Sequence, residues 1–297
     1  SGIRFTNVFL PSPQCSPTRT SLLTGQFPHT LRTEDLHTPL EESQKIVPHY
    51  LKEAGYYSAL LGKSHIGEAA INQFDYFNPG QGNPRGQDLE TVLTEADDQP
   101  FFVWFAFFDP HRGYQANTIA SSHNPFEVIV PPYLADTPDT RKDLARYYDE
   151  IGRIDSIMGS ALEILKDEDQ LDNTVVIFMS DNGKPFTRAK GTLYDEGIKT
   201  PFIVNWPSVI KDGRTDNQLL STLRLAPSIL DLVGLKKPES MFGNSFLENL
   251  IQEQSIADEY VFSERNWHDC DEHMRSVRSD SFKLIVNSYI SLPHGTA

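Results

Sequence analysis

The chain has 297 residues, of which 38% are hydrophobic and 11% aromatic, enough apolar surface for one large domain or one large and one small. With 26 basic against 41 acidic residues the net charge is −15, which argues against nucleic acid as a partner. The two cysteines, Cys15 and Cys270, exclude a disulfide framework, and no apolar run approaches the roughly 18 to 20 residues that span a bilayer. The opening Ser1-Gly2-Ile3-Arg4-Phe5 shows no signal peptide and does not read as a natural start.

In chain order, the first informative stretch is Cys15-Ser16-Pro17-Thr18-Arg19, continuing into Thr20-Ser21-Leu22-Leu23-Thr24-Gly25. Pro17 fixes its own φ and biases Ser16 away from helix, so Cys15 is expected on a turn, with Arg19 able to swing back towards it. Ile46 to Ala54 reads as a helix stopped by Gly55, and Tyr57 to Leu61 as a strand leading to Gly62-Lys63-Ser64-His65. Asn72 to Gln99, rich in Gly, Pro, Asn, Gln and Asp, reads as a long surface loop, and Arg112 to Asp136 as a second. Between them, Phe101 to Phe108 has the continuous aromatic character of a central strand and ends in Asp109-Pro110-His111-Arg112.

The strongest helix lies within Thr140 to Leu165, where Leu144, Tyr147, Tyr148, Ile151, Ile154, Met158, Leu162 and Leu165 recur at three- and four-residue steps. Thr174 to Met179 and Pro201 to Trp206 read as buried strands, and Thr222 to Leu232 as a helix. Glu259 to Ser263, Met274 to Arg278 and Phe282 to Asn287 read as a small antiparallel sheet. Alternating strands and helices imply an α/β fold: a mostly parallel central sheet with helices on both faces, plus that small C-terminal sheet. A boundary near Lys237-Pro238 divides a catalytic domain, 1–237, from a small-sheet subdomain, 238–297.

Chemistry is expected at strand ends. Lys63 and His65 place a point cation and an imidazole two residues apart. His111 and Arg112 end the most apolar strand, a pattern typical of a site. Asp181 and Asn182, in Ser180-Asp181-Asn182-Gly183, present adjacent oxygens before a glycine, as a hard divalent cation would require; an ordinary turn has the same composition. Lys190 stands in a glycine-flanked loop. Together these residues make a cationic pocket within an acidic body. Arg265-Asn266-Trp267-His268-Asp269 and Arg275 combine charge, hydrogen bonding and a flat aromatic, equipment suited to gripping a sugar.

Cys15 to Gly25 resembles the signature of the type I sulfatases, a formylglycine-dependent family of the alkaline phosphatase superfamily, and the later clusters fall in that family's order. Asp109-Pro110-His111-Arg112, Val130-Pro131-Pro132-Tyr133 and Met274-Arg275-Ser276-Val277 are similar to the heparan N-sulfatase (sulfamidase) group, with bacterial polysaccharide sulfatases sharing such phrases. Where that group carries arginine nine residues after the metal aspartate, this chain has Lys190, which keeps the charge without the bidentate fork.

The resemblance implies that a maturation enzyme oxidises Cys15 to formylglycine, and that its hydrated form sits on one calcium ion with Asp181 and Asn182. It further implies attack on sulfur assisted by Arg19, Lys63 and Lys190, protonation of the leaving group by His111, and proton removal by His65. Arg112, His268 and Arg275 would bind a sulfated carbohydrate, in a periplasmic, secreted or lysosomal setting with no membrane span. The family's first strand ends in paired aspartates that complete the metal site, and no Asp-Asp precedes Cys15. Two other readings stay open: a phosphoesterase or phosphonate hydrolase of the same superfamily, and a catalytically incomplete relative that binds sulfated glycans.

Overall fold

A computed structural model describes residues 2–80 and 82–289. The strands are β1 (Ile3–Phe9), β2 (Tyr57–Gly62), β3 (Tyr76–Asn78), β4 (Phe101–Ala106), β5 (Val176–Met179), β6 (Lys199–Asn205), β7 (Arg214–Asp216), β8 (Leu220–Ser221), β9 (Val261–Arg265), β10 (Met274–Arg278) and β11 (Lys283–Asn287). The helices are α1 (Cys15–Thr24), α2 (Pro28–Leu31), α3 (Val47–Glu53), α4 (Glu68–Ile71), α5 (Gly86–Ala96), α6 (Pro138–Asp167), α7 (Asp195–Ile198), α8 (Leu225–Leu232) and α9 (Leu247–Gln252).

Strands β3, β2 and β4 form an all-parallel sheet in that order, with Ala59 opposite Val103 and Leu61 opposite Phe105. Alternation along β4 explains why it is apolar throughout. Phe101, Val103 and Phe105 pack with Leu89 of α5 and with Ala161 and Leu165 of α6. Phe102 and Trp104 point the other way, to a cluster that holds Leu23 of α1, Leu31 and Leu60. Phe102 also meets Val47 and Leu51 of α3 and Leu230 of α8. Helices therefore cover both faces, as the α/β pattern requires.

A second sheet runs β5-β6-β1-β7, with β8 also on β1. Here β1 is parallel to β7 and β8, while β6 is antiparallel to both β1 and β5. The chain leaves β5 and returns through residues 180–198 at the same end of the sheet, without the crossover that a parallel partner needs, so β6 must reverse. Strands β4 and β5 are not paired with each other. A cleft of about 1880 Å³ runs between them and reaches Cys15, Lys63 and Asp181. The third sheet, β11-β10-β9, is antiparallel, with Ser276 opposite Ser263 and Ile285. The last eight residues of the subdomain 238–297 lie outside the described residues.

Two expectations are corrected. The stretch Asn72 to Gln99 is not all loop, since β3 and α5 lie in it. Asp88 accepts the Arg85 backbone N–H at 2.7 Å to start α5, and Leu89, Val92 and Ala96 form its buried face. Ser16 is helical, because Cys15 opens α1 and Pro17 falls within the first turn, where its missing N–H costs no hydrogen bond. By contrast, 112–136 carries no helix or strand.

Candidate active site

Cys15 is the first residue of α1 and 3% exposed. Its turn is pinned by Thr18 Oγ1, which donates to Ser12 O at 2.7 Å, and by Gly191 N–H, which donates to Pro13 O at 3.0 Å. Three groups from three other segments meet the thiol. Asn182 Oδ1 lies 3.0 Å from Sγ, Lys190 Nζ 3.3 Å and Lys63 Nζ 3.6 Å. The amide of Asn182 is oriented by its own Nδ2, which donates to Gly183 O at 2.7 Å and so turns the oxygen to Cys15.

Arg19, one turn further along α1, does not fold back on Cys15. Its Nε is 2.6 Å from Asp181 Oδ2 and its Nη1 donates to Lys63 O at 2.8 Å. The guanidinium thus joins the strand ends of β2 and β5, because a partly buried carboxylate nearby is the stronger acceptor. Burial works to raise the Asp181 pKa, but Arg19, Lys63 and Lys190 outweigh it and hold the carboxyl below the usual range.

Ser180-Asp181-Asn182-Gly183 is held tightly. Ser180 N–H donates to Thr200 Oγ1 at 2.9 Å, Ser180 Oγ to Asn182 O at 2.6 Å, and Gly183 N–H to Gly197 O at 2.9 Å. A Cβ at Gly183 would stand 1.9 Å from Glu196 O and 2.7 Å from Gly197 Cα. Gly183→Ala is therefore expected to displace Asn182 and to destabilise the protein by at least about 2 kcal/mol, read as a lower denaturant midpoint. A midpoint unchanged from wild type would show that this backbone contact yields freely.

Two histidines border the centre. His65 is set in the left-handed region, at φ 56, and its Nε2 lies 2.7 Å from Nδ1 of His37. Burial first, then Lys63, His37 and Arg19, push its pKa down to about 4, so it is neutral at pH 7. His111 follows β4 and its Nδ1 lies 2.6 Å from Arg112 O. Burial lowers its pKa, the Arg112 carbonyl works against that, and Lys190 and Lys63 lower it further. The turn that carries it is fixed by Arg153, whose Nε and Nη2 grip the Asp109 carboxylate at 2.5 and 2.7 Å.

The expected sugar-binding residues lie in two other places. Arg112 donates to Pro185 O at 2.8 Å and to Asp143 at 2.7 Å, and its guanidinium lies 4.8 Å from the Phe186 ring centre. In the third sheet, Arg275 Nη1 donates to Asn266 Oδ1 at 3.0 Å, and its Nη2 is 3.3 Å from buried Glu264. His268 Nδ1 is 2.7 Å from Asp269. That region reaches the centre indirectly: Leu36 N–H donates to Trp267 O at 3.1 Å and Trp267 N–H to Asp35 at 3.0 Å, so the loop carrying His37 leans on it.

Several supporting pairings carry no signal in the sequence, even where one member lies in a segment that stands out there. His37 with His65 and Asp109 with Arg153 are two cases. A third is Arg265, which donates to Gly191 O next to Lys190 and pairs with Glu272 at 2.5 Å, both side chains being buried. Each pairing joins segments or turns whose proximity only the fold creates.

Asp181 and Asn182 offer the hard oxygens that a divalent cation takes, beside position 15. They supply two of the roughly six to eight donors calcium uses. Among the described residues there is no group of three or more His, Cys, Asp and Glu able to hold a metal. The donor chemistry fits part of an oxygen shell, and the cleft between β4 and β5 reaches both residues.

The chain matches the family described as Sulfatase over residues 1–85 and 86–235, and that described as N-sulphoglucosamine sulphohydrolase, C-terminal, over residues 187–291. It is 30% identical to human N-sulphoglucosamine sulphohydrolase, covering 97% of this chain and 67% of that protein. It is 26% identical to an ulvan-active sulfatase of Formosa agariphila, covering 96% of this chain and 55% of that protein. One similar solved structure holds its substrate, D-glucosamine-2-N,6-O-disulfate; it has a TM-score of 0.79 at 18% identity over 99% of this chain and 83% of that one. The phosphonate monoester hydrolase from Silicibacter pomeroyi has a TM-score of 0.78 at 19% identity, over 96% of this chain and 80% of that one. Such structural likenesses speak to the fold, which both chemistries share. The chain spans between 55% and 67% of the length of three curated relatives.

Proposed function

This chain belongs to the sulfatase family, and on that premise we propose that it hydrolyses sulfate esters or sulfamates of a sulfated glycan, with Cys15 converted to formylglycine by a maturation enzyme. The observation that carries the reading is the convergence of Lys63, Lys190 and Asn182 on one buried sulfur atom. Two ammonium groups within 3.6 Å of a nucleophile suit a tetrahedral anion. They also supply the local positive field that the net charge of −15 does not.

A divalent cation, which the family implies and which we take to be calcium, would be held by Asp181, Asn182 and the converted Cys15. When bound it supplies Lewis acidity that lowers the pKa of the nucleophilic hydroxyl.

The remaining work is that of side chains. Lys63 and Lys190 hold the sulfuryl oxygens and neutralise charge that grows in the transition state. Arg19 keeps Asp181 ionised and orients the Lys63 segment. His65, neutral at pH 7, accepts the proton of the second hydroxyl of the hydrated residue, so that its carbon–oxygen bond to the sulfated oxygen breaks and the aldehyde returns. His111, whose pKa burial and then Lys190 and Lys63 lower, is the group that protonates the leaving nitrogen or oxygen.

Substrate recognition belongs in this reading to Arg275, His268 and Arg112, with 1–237 as the catalytic domain and 238–297 as the subdomain that grips the sugar. Among the described residues no helix is long and apolar enough to cross a membrane. A periplasmic, secreted or lysosomal site is the proposed location.

The deciding experiment is sulfate release from N- and O-sulfated mono- and oligosaccharides by protein matured to formylglycine, with phosphate and phosphonate esters assayed in parallel. Preferential cleavage of the phosphorus esters would replace the reading by its superfamily rival, and glycan binding without any hydrolysis by the non-catalytic one. Within the same assay, His111→Ala should lower kcat by about 10²- to 10³-fold, the range of a lost proton donor. Arg275→Ala should raise KM by roughly tenfold with kcat nearly kept, since it would grip ground and transition states alike. An unchanged KM for every sulfated sugar would remove Arg275 from the subsite.

A further inference from the structure

His65 sits between a solvent-facing neighbour and a buried interior. Its Nε2 is 2.7 Å from Nδ1 of exposed His37, whereas its Nδ1 is buried and has no hydrogen-bond partner among the described residues. A neutral imidazole carries one N–H and one lone pair, so the His37 contact decides which of them the buried nitrogen presents. If His37 donated, His65 would carry its proton on Nδ1, as a buried N–H without an acceptor. That arrangement is rarer and costlier than a buried lone pair left free. Lys63 and Arg19 disfavour a positive charge on the ring and so keep His65 neutral, in whichever tautomer the contact selects.

We propose that His37 is the positioning residue for His65: its Nδ1 accepts the Nε2–H of His65 and so reserves the lone pair on the buried Nδ1 as the proton acceptor of the reaction. The functional part of this assignment rests on the sulfatase reading above, and the tautomer itself does not.

The placement of His37 is held from several sides. Its backbone N–H donates to Ser16 Oγ at 2.8 Å, next to the nucleophile position. Leu36 and Asp35 tie the same loop to Trp267 through bonds of 3.1 and 3.0 Å. Both histidines adopt positive φ, 71 at His37 and 56 at His65. For a residue with a Cβ that conformation persists only where surrounding contacts impose it, as they do at functional sites. The ring centres are 4.8 Å apart with an interplanar angle of 38°, so the pair meets edge-on through its nitrogens rather than by stacking.

The test uses the purified protein with 15N-labelled histidine. Long-range proton–nitrogen correlation spectra at pH 7 should show His65 protonated on Nε2 and bare on Nδ1, and in His37→Ala a mixture of both tautomers. On a sulfated monosaccharide, His37→Ala should lower kcat about three- to tenfold, the factor one net hydrogen bond carries, with KM unchanged. His37→Asn, whose Oδ1 can accept at the place of Nδ1, should recover most of the loss. A wild-type His65 protonated on Nδ1 would overturn the proposal, as would a tautomer indifferent to His37→Ala. A rate loss in that variant not rescued by asparagine would reduce His37 to a structural role. Should no sulfated substrate be cleaved at all, the sulfatase reading fails on its own, and the spectra still decide the tautomer.

Discussion

Cys15→Ser is expected to abolish turnover while leaving the fold intact. The side chain is 3% exposed, and its sulfur meets Asn182 Oδ1 at 3.0 Å and the two lysine ammonium groups. A hydroxyl is slightly smaller than a thiol and can keep the hydrogen bond to Asn182, so stability should change by less than about 1.5 kcal/mol. Activity should respond differently. An unconverted serine that attacked sulfur would be left as a stable ester to be hydrolysed by external water, whereas a hydrated aldehyde can expel sulfate from within. The expected loss in kcat is at least about a thousandfold, as for other enzymes stripped of their nucleophile. Initial rates on a sulfated sugar, a thermal melt and the mass of the Cys15 peptide give the three readouts together. Wild-type material shown to hold only the free thiol and yet turning over would defeat the idea.

The contrast between position 15 and its neighbours shows where the sequence is informative. Residues 15–25, 62–65, 109–112, 180–183 and 190–194 each stand out locally, and three of the last four supply a side chain or backbone group that touches Cys15 or Arg19 in the first. Strand β10 matches the expected Met274 to Arg278 at both ends, since alternation between a buried and a half-exposed face is a local property. What was missed depends on distant partners. Strand β1 pairs with β6, which lies about two hundred residues away in sequence, and its apolar residues Ile3, Phe5, Val8 and Phe9 do not keep strict alternation across the register shift. Helix α5 was hidden in a stretch of glycine, proline and amides. Its first residue, Gly86, is required by closeness to Ser160 of α6, where a Cβ would stand 2.3 Å from the hydroxyl oxygen. The engagement of Arg112 with Asp143 and of Arg275 with Glu264 is equally invisible along the chain, because an arginine's partner is chosen by the fold.

Arg19→Met should be among the most destabilising single changes in the molecule. Arg19 is 6% exposed, and one guanidinium holds the Asp181 carboxylate at 2.6 Å and the Lys63 carbonyl at 2.8 Å. Methionine fills much of the volume but leaves a carboxylate without its nearest counter-charge, a change that costs about 3 to 5 kcal/mol in a buried pair. The double variant Arg19→Met with Asp181→Asn should recover part of that loss, because the stranded charge is then gone. The pH dependence follows from the direction of the Asp181 shift. Burial acts to raise its pKa, yet Arg19, Lys63 and Lys190 leave it below the ordinary value. Its contribution to stability is therefore complete above the unfolded carboxyl pKa of about 3.9 and is lost as pH falls through the lower folded value. Denaturant titrations should accordingly show the largest gap between wild type and Arg19→Met near neutrality, narrowing below about pH 4 as the carboxyl is protonated in both proteins. A gap that stayed constant down to pH 3 would mean that Arg19 acts through packing and its bond to Lys63, with the Asp181 charge carrying little of the effect.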